Sequence, residues 1–273
     1  MPELPEVETV RRGLQPLIEG QTIRHVTLRR DGLRRPFPPG MADRLAGVRV
    51  ERLRRRGKYI LGDLSSGDVL LIHLGMTGRF HHGGKAPGTH DHLVIALQSG
   101  KTILYNDPRR FGVIDLFSGA DEVRHPLLRN LGPEPLGPDF DANHLYRAFV
   151  GRTAAVKSAL LDQGIVAGLG NIYVSEALWR ARVSPLRPAG RISRARVAQL
   201  VRAIRDVLSD AIRGGGSTLR DYRRIDGEIG GFQESFAVYG RDGEPCRTAD
   251  CKGKIRRITQ TGRTTFYCAL CQR

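Results

Sequence analysis

The chain has 273 residues, of which 40% are hydrophobic, so it is not a disordered tract and has material for two compact domains, or one large one with an appendage. Lysine and arginine number 44 against 28 aspartate and glutamate, and the net charge of +16 favours a polyanionic partner through counterion release, an arginine-rich surface without a functional patch being the plainer alternative. No apolar run approaches the ~20 residues that span a bilayer, and the acidic, proline-broken start Met1-Pro2-Glu3-Leu4-Pro5-Glu6 is unlike a signal peptide, so the expected location is the cytoplasm, with no membrane partner.

Residues 5–18 read as a helix, because Val7, Val10, Leu14 and Leu17 recur at helical spacing and Pro5 suits a first turn. From 22 to 117 the pattern turns to strands. Leu93, Ile95 and Leu97 alternate, Ser99-Gly100 turns the chain, and Thr102 to Tyr105 returns; the runs 48–53, 59–64, 69–74 and 111–117 look similar. Strands broken by glycine turns suggest a β-sandwich or barrel. The proline-rich stretch Leu131 to Pro138 is expected to link domains. Residues 142–213 read as helical. The clearest helix runs from an N-cap at Ser193 to Arg213, with Val197, Leu200, Val201, Ile204, Leu208 and Ile212 on one face, and Gly214-Gly215-Gly216 stops it. Residues 214–235 read as a long loop.

All four cysteines lie in the tail. Cys246-x4-Cys251, sixteen residues, then Cys268-x2-Cys271 can give four thiolates to one tetrahedral zinc. Four cysteines leave no open position, so the ion would be structural. Lys252, Lys254, Arg256, Arg257 and Arg263 lie between the pairs, together with Ile255, Ile258, Phe266 and Tyr267. That pattern suits a β-hairpin finger whose basic face touches nucleic acid, or a purely structural knuckle with solvated arginines.

At the other end, trimming of Met1 before Pro2 would expose a secondary amine. An α-amino group has a pKa of about 8, so part of it is neutral and nucleophilic near neutral pH. Glu3 and Glu6 could supply the acid that attack on a sugar carbon requires. The same residues also suit any helix N-terminus.

Six motifs occur in one order: Pro2-Glu3-Leu4-Pro5-Glu6-Val7-Glu8, Arg56-Gly57-Lys58-Tyr59, His73-Leu74-Gly75-Met76-Thr77-Gly78, Asp107-Pro108-Arg109-Arg110-Phe111-Gly112, Gly168-Leu169-Gly170-Asn171-Ile172-Tyr173, and the cysteine tail. Together they closely resemble the bacterial formamidopyrimidine-DNA glycosylase family, over residues 2 to 272. Leu4 and the Arg-x-Phe at 109–111 favour it over the related endonuclease VIII.

The resemblance implies an α+β chain: an N-terminal antiparallel β-sandwich with a leading helix (1–130), a linker (131–138), a helix–two-turn–helix domain (139–235) and a β-hairpin zinc finger (236–273). It implies a monomeric base-excision-repair enzyme acting on duplex DNA that contains oxidised purines or abasic sites, bound in a basic cleft. Pro2 becomes the Schiff-base nucleophile, Glu3 the acid/base group and Glu6 a supporting acid. Lys58, which otherwise merely continues the run Arg54-Arg55-Arg56, becomes the β-elimination lysine, and Arg263 serves δ-elimination. Met76, Arg109 and Phe111 become the residues that fill the gap left by a flipped base, although Met76 and Phe111 read unaided as core. His90, Arg152, Lys157 and Asn171 match backbone-contacting positions, Asn171 being also a candidate N-cap. Arg220 and Tyr222 match a loop, 217–224, that closes over the base in some relatives. The first cysteine pair departs from the family's common x2 spacing, which lengthens the knuckle.

Overall fold

The computed structural model describes residues 1–83, 86–217 and 230–273. The chain divides into two compact units, Met1–Arg129 with Gly214–Gly231, and Asn130–Arg213 with Phe232–Arg273.

The first unit opens with α1 (Leu4–Ile18). Its Val7, Val10, Leu14 and Ile18 are buried on one stripe, and each such side chain stabilises by roughly 1.5–3 kcal/mol. Beyond it come β1 (Ile23–Leu28), the short helix α2 (Met41–Leu45), β2 (Val50–Arg56), β3 (Tyr59–Leu64), β4 (Asp68–His73), β5 (Arg79–His82), β6 (Asp91–Leu97), β7 (Thr102–Asn106) and β8 (Val113–Ser118). The strands form two antiparallel four-stranded sheets, in the orders β1-β6-β7-β5 and β2-β3-β4-β8. Val26, Ile95 and Ile103 from one sheet, Leu53, Ile60 and Ile72 from the other, and the apolar stripe of α1 share one core. This is the expected β-sandwich. In the β6–β7 hairpin Leu93 pairs with Tyr105 and Ile95 with Ile103, and Gly100 turns the chain with φ +83°.

The second unit is helical: α3 (Ala142–Phe149), α4 (Val156–Leu161), α5 (Asn171–Arg180) and α6 (Arg194–Arg213). The apolar face read for α6 is buried at Val197, Leu200, Val201, Ile204 and Leu208. Residues 131–138, expected as a linker, are tied into this unit: Gly132 donates to the Gln163 carbonyl at 2.8 Å, and Ala167 to that of Pro133 at 3.1 Å. The unit ends in the hairpin β9 (Ile255–Gln260) and β10 (Arg263–Cys268), paired antiparallel with Phe266 opposite Arg257. Among the described residues no helix is long and apolar enough to cross a membrane.

Candidate active site and nucleic-acid interface

In the first unit the N-terminal residues sit where α1 begins. Glu3 is the N-cap, and its carboxyl group accepts the Glu6 N–H while the Glu6 side chain accepts the Glu3 N–H at 2.9 Å. This capping box satisfies two helix-end donors and places two acidic groups at the positive end of the helix dipole. Both side chains are buried. Glu6 also accepts the N–H and hydroxyl of Ser217, at 2.8 and 3.0 Å. Pro2 is buried and Met1 exposed. With Met1 attached, the prolyl nitrogen is a tertiary amide, and removal of this exposed residue would free the amine.

Lys58 sits in the β2–β3 turn beside Gly57, which takes φ +56°, and is buried. The basic run before it is spoken for. Arg54 pairs with Asp63 and Glu122, and Arg55 with Glu8, so these arginines brace the first unit. Lys58 lies near His73 at the end of β4. Burial, with Lys58 and Arg34 close by, pushes that imidazole down to about 4, so it is neutral at physiological pH. Its Nδ1 accepts the Gly75 N–H at 3.1 Å, which leaves the proton on Nε2.

Met76 and Phe111 read unaided as core, but the structure leaves both exposed, at 39% and 41%. They occupy two loops rather than strands. Arg109 is also exposed, and its guanidinium lies 4.7 Å over the Phe111 ring. His90 is exposed on the loop before β6, and its carbonyl accepts the Asp107 N–H at 3.0 Å. That loop is held by the buried Asp91, which takes the Gly88 N–H at 2.8 Å and pairs with His81 and Asn106.

In the second unit the cysteine tail closes into a cluster whose four sulfurs lie within 4.8 Å of one another. Cys246 and Cys271 are 3.9 Å apart and Cys251 and Cys268 3.8 Å apart, sulfur to sulfur. A tetrahedron of ~2.3 Å zinc–sulfur bonds sets its sulfurs about 3.8 Å apart. The residues therefore fit one structural zinc. The x4 spacing is absorbed locally: Asp250 adopts φ +61°, and Thr248 and Gly253 donate N–H groups to the sulfurs of Cys246 and Cys251.

Arg263 is exposed at the start of β10, just past the turn at Thr261 and Gly262. Lys157, expected at the nucleic-acid backbone, is instead 1% exposed, and its ammonium donates to the Thr264 carbonyl at 2.9 Å and the Thr265 hydroxyl at 2.7 Å. Hydrogen bonds to the hairpin offset the cost of burying that charge. Asn171 donates to the same Thr264 carbonyl at 2.8 Å. It is the first helical residue of α5; the N-cap is Gly170. Arg152 is exposed and folds back on the Ala148 carbonyl at 2.7 Å. Arg220 and Tyr222 lie outside the described residues.

Sequence reasoning missed Asp107 as a structural centre and also Glu176. The latter is buried in α5 and accepts the N–H groups of Ala237, Val238 and Tyr239 at 2.8, 3.0 and 2.8 Å. A lone acidic residue in a helix gives no sign of partners sixty residues away.

Residues 1–114 match the model of the formamidopyrimidine-DNA glycosylase N-terminal domain, and residues 131–223 that of its H2TH domain. The chain belongs to the formamidopyrimidine-DNA glycosylase family. Formamidopyrimidine-DNA glycosylases of Ruegeria pomeroyi and Roseobacter denitrificans are 60% and 58% identical to it, each aligned over the whole of both chains. The crystal structure of the MutM (Fpg) protein from Thermus thermophilus is similar at a TM-score of 0.89 and 44% identity, covering 99% of this chain and 98% of that one. Lactococcus lactis Fpg in complex with DNA containing an abasic site is similar at 0.91 and 34% identity, covering 99% of each chain. Membership in this glycosylase family accounts for both the sandwich unit and the helical unit with its hairpin.

Proposed function

We propose that this chain is a bifunctional DNA glycosylase and abasic-site lyase of base excision repair. It removes oxidised purines, 8-oxoguanine and formamidopyrimidines, from duplex DNA and then cuts the backbone by β,δ-elimination. The observation that carries this reading is the placement of Pro2 beside Glu3 and Glu6, both buried at the N-terminus of α1. The activity for which the relatives are named, and the lesion-containing DNA in complexes of Lactococcus lactis Fpg, support the substrate class.

With Met1 removed, the Pro2 nitrogen attacks C1′ of the damaged nucleotide. The bond from C1′ to the base breaks, and a proton delivered to the base or ring oxygen lets the pair separate. Glu3, adjacent to the nucleophile, is the acid in this step, and Glu6 fixes Glu3 through its N–H. The sugar opens as an iminium on Pro2. Loss of a C2′ proton then expels the 3′ phosphate, and a second elimination expels the 5′ phosphate. Water hydrolyses the sugar fragment from Pro2 and leaves a one-nucleotide gap. Lys58 holds the phosphate and shuttles a proton, Arg263 serves the second elimination, and Met76, Arg109 and Phe111 fill the vacated stack. His90, Arg152 and Asn171 hold the backbone, while Lys157 supports Arg263 through Thr264. Cys246, Cys251, Cys268 and Cys271 would hold one zinc, which braces the hairpin and takes no part in the bond changes. The enzyme works as a monomer in the cytoplasm. Arg220 and Tyr222 are assigned to the flipped base by resemblance alone.

Borohydride trapping tests the reading. The trimmed protein is expected to give a covalent complex with a duplex carrying 8-oxoguanine opposite cytosine. Pro2→Gly should lose nearly all of it, and Glu3→Gln should retain trapping on an abasic site while losing base excision by a hundredfold or more. No adduct from correctly trimmed protein would leave a non-catalytic DNA-binding scaffold. Faster excision of thymine glycol than of 8-oxoguanine would place it with endonuclease VIII.

A further inference from the structure

The two loops that present Met76, Arg109 and Phe111 are joined through one buried carboxyl group. Asp107 has no exposed surface. Its Oδ1 accepts the Thr77 hydroxyl at 2.5 Å and its Oδ2 the Gly112 N–H at 2.8 Å. Thr77 Oγ1 in turn accepts the Arg109 N–H at 3.3 Å. The Asp107 backbone is fixed as well: its carbonyl bonds the His92 imidazole at 3.0 Å and accepts the Arg110 N–H at 3.1 Å.

The loops also pack closely at two glycines, Gly75 against the backbone of Phe111 and Gly112 against the side chain of Tyr105. A Cβ on Gly75 would fall 2.4 Å from the Phe111 carbonyl carbon, and one on Gly112 would fall 2.0 Å from the Tyr105 hydroxyl. Arg110 is held at φ +58°, a conformation that a residue with a side chain seldom adopts without support. So Thr77, next to Met76, and Gly112, next to Phe111, hang from the same carboxyl group, and Arg109 hangs from Thr77.

We propose that Asp107 is a positioning residue that makes the three gap-filling side chains one pre-assembled wedge. This rests on the glycosylase reading above. Inserting the wedge has to offset the unstacking of a base, and loops whose backbone is already fixed lose less freedom when they insert. At an abasic site there is no base to extrude, so the lyase step depends on the wedge far less.

The variants are chosen for shape. Asp107→Asn keeps the size, but its amide accepts at only one end, so either Thr77 or Gly112 loses its acceptor. Thr77→Val removes the hydroxyl and leaves Asp107 intact, and Thr77→Ser restores it. Single-turnover excision of 8-oxoguanine opposite cytosine is measured beside cleavage of a preformed abasic duplex. Asp107→Asn and Thr77→Val are expected to slow excision tenfold or more, to leave abasic cleavage within about threefold, and Thr77→Ser to recover most of the loss. Equal losses in both reactions, following the melting temperature, would reduce Asp107 to a stability role and overturn the proposal. So would unchanged excision in Thr77→Val. A wild-type protein that neither excises nor traps would sink the glycosylase reading itself, and this inference with it.

Discussion

His73 shows how far a side chain's state can depart from its type. Its motif, His73-Leu74-Gly75-Met76, says nothing about charge, yet burial, with Lys58 and Arg34 near it, carries the imidazole from its ordinary 6.5 down to about 4. Between those two pH values the unfolded chain binds the extra proton and the folded chain does not. Stability from this residue is therefore complete above the unfolded value and is lost as pH falls from 6.5 toward 4. The loss amounts to roughly 3 kcal/mol. His73→Asn offers the Gly75 N–H an acceptor in the same place and does not titrate. Urea denaturation across this range is expected to show a shallower pH slope for the variant, and an unchanged slope would remove His73 as the cause. The clustering of the four cysteines, which rests on their spacing along the chain, was legible in the sequence. His73 and Asp107 were not, because their partners and burial come from other strands.

At the scale of elements, legibility followed periodicity. The stripes of α1 and α6, and the alternation in β6 and β7, reported their own burial. The five residues of α2 and the four of β5 are too short to show a period. Met76 and Phe111 misled because an apolar side chain near strands reads as core, while the glycine turns around them lift both into loops. The anchoring of α5 to segment 237–239 was invisible, since one carboxylate, Glu176, makes it. Glu176→Ala would strand three N–H groups at a buried site, at about 1–3 kcal/mol for each group that water fails to reach. Glu176→Gln turns one acceptor into a donor facing the Ala237 N–H. Alanine is expected to destabilise by about 3–5 kcal/mol and glutamine by roughly half of that, measured by chemical denaturation. A glutamine variant as stable as the parent would mean that the bond to Ala237 contributes nothing.

Over the whole molecule the sequence announced a net charge of +16 without saying which cations are available to a ligand. The structure sorts them. Arg54, Arg55 and Lys157 are engaged within the protein, whereas Arg109, Arg152 and Arg263 are exposed. The distinction has a measurable form, since each cation that neutralises a phosphate contributes about 0.9 to the slope of log affinity against log salt. Arg263→Ala is expected to weaken binding to an abasic-analogue duplex and reduce that slope by about one. Lys157→Met removes a buried charge that touches Thr264 and Thr265, so it should act through the hairpin. Its slope should fall by the same amount as that of Arg263→Ala, and the double variant should fall no further. The core around the cysteine cluster is small, with Val238, Ile255 and Phe266, and such a core needs a staple. If zinc holds the four cysteines, chelation lets their sulfurs take up protons and removes that staple, and it is therefore expected to give the Arg263→Ala slope with the wild-type chain. Two independent decrements in the double variant would return Lys157 to direct contact with the DNA backbone.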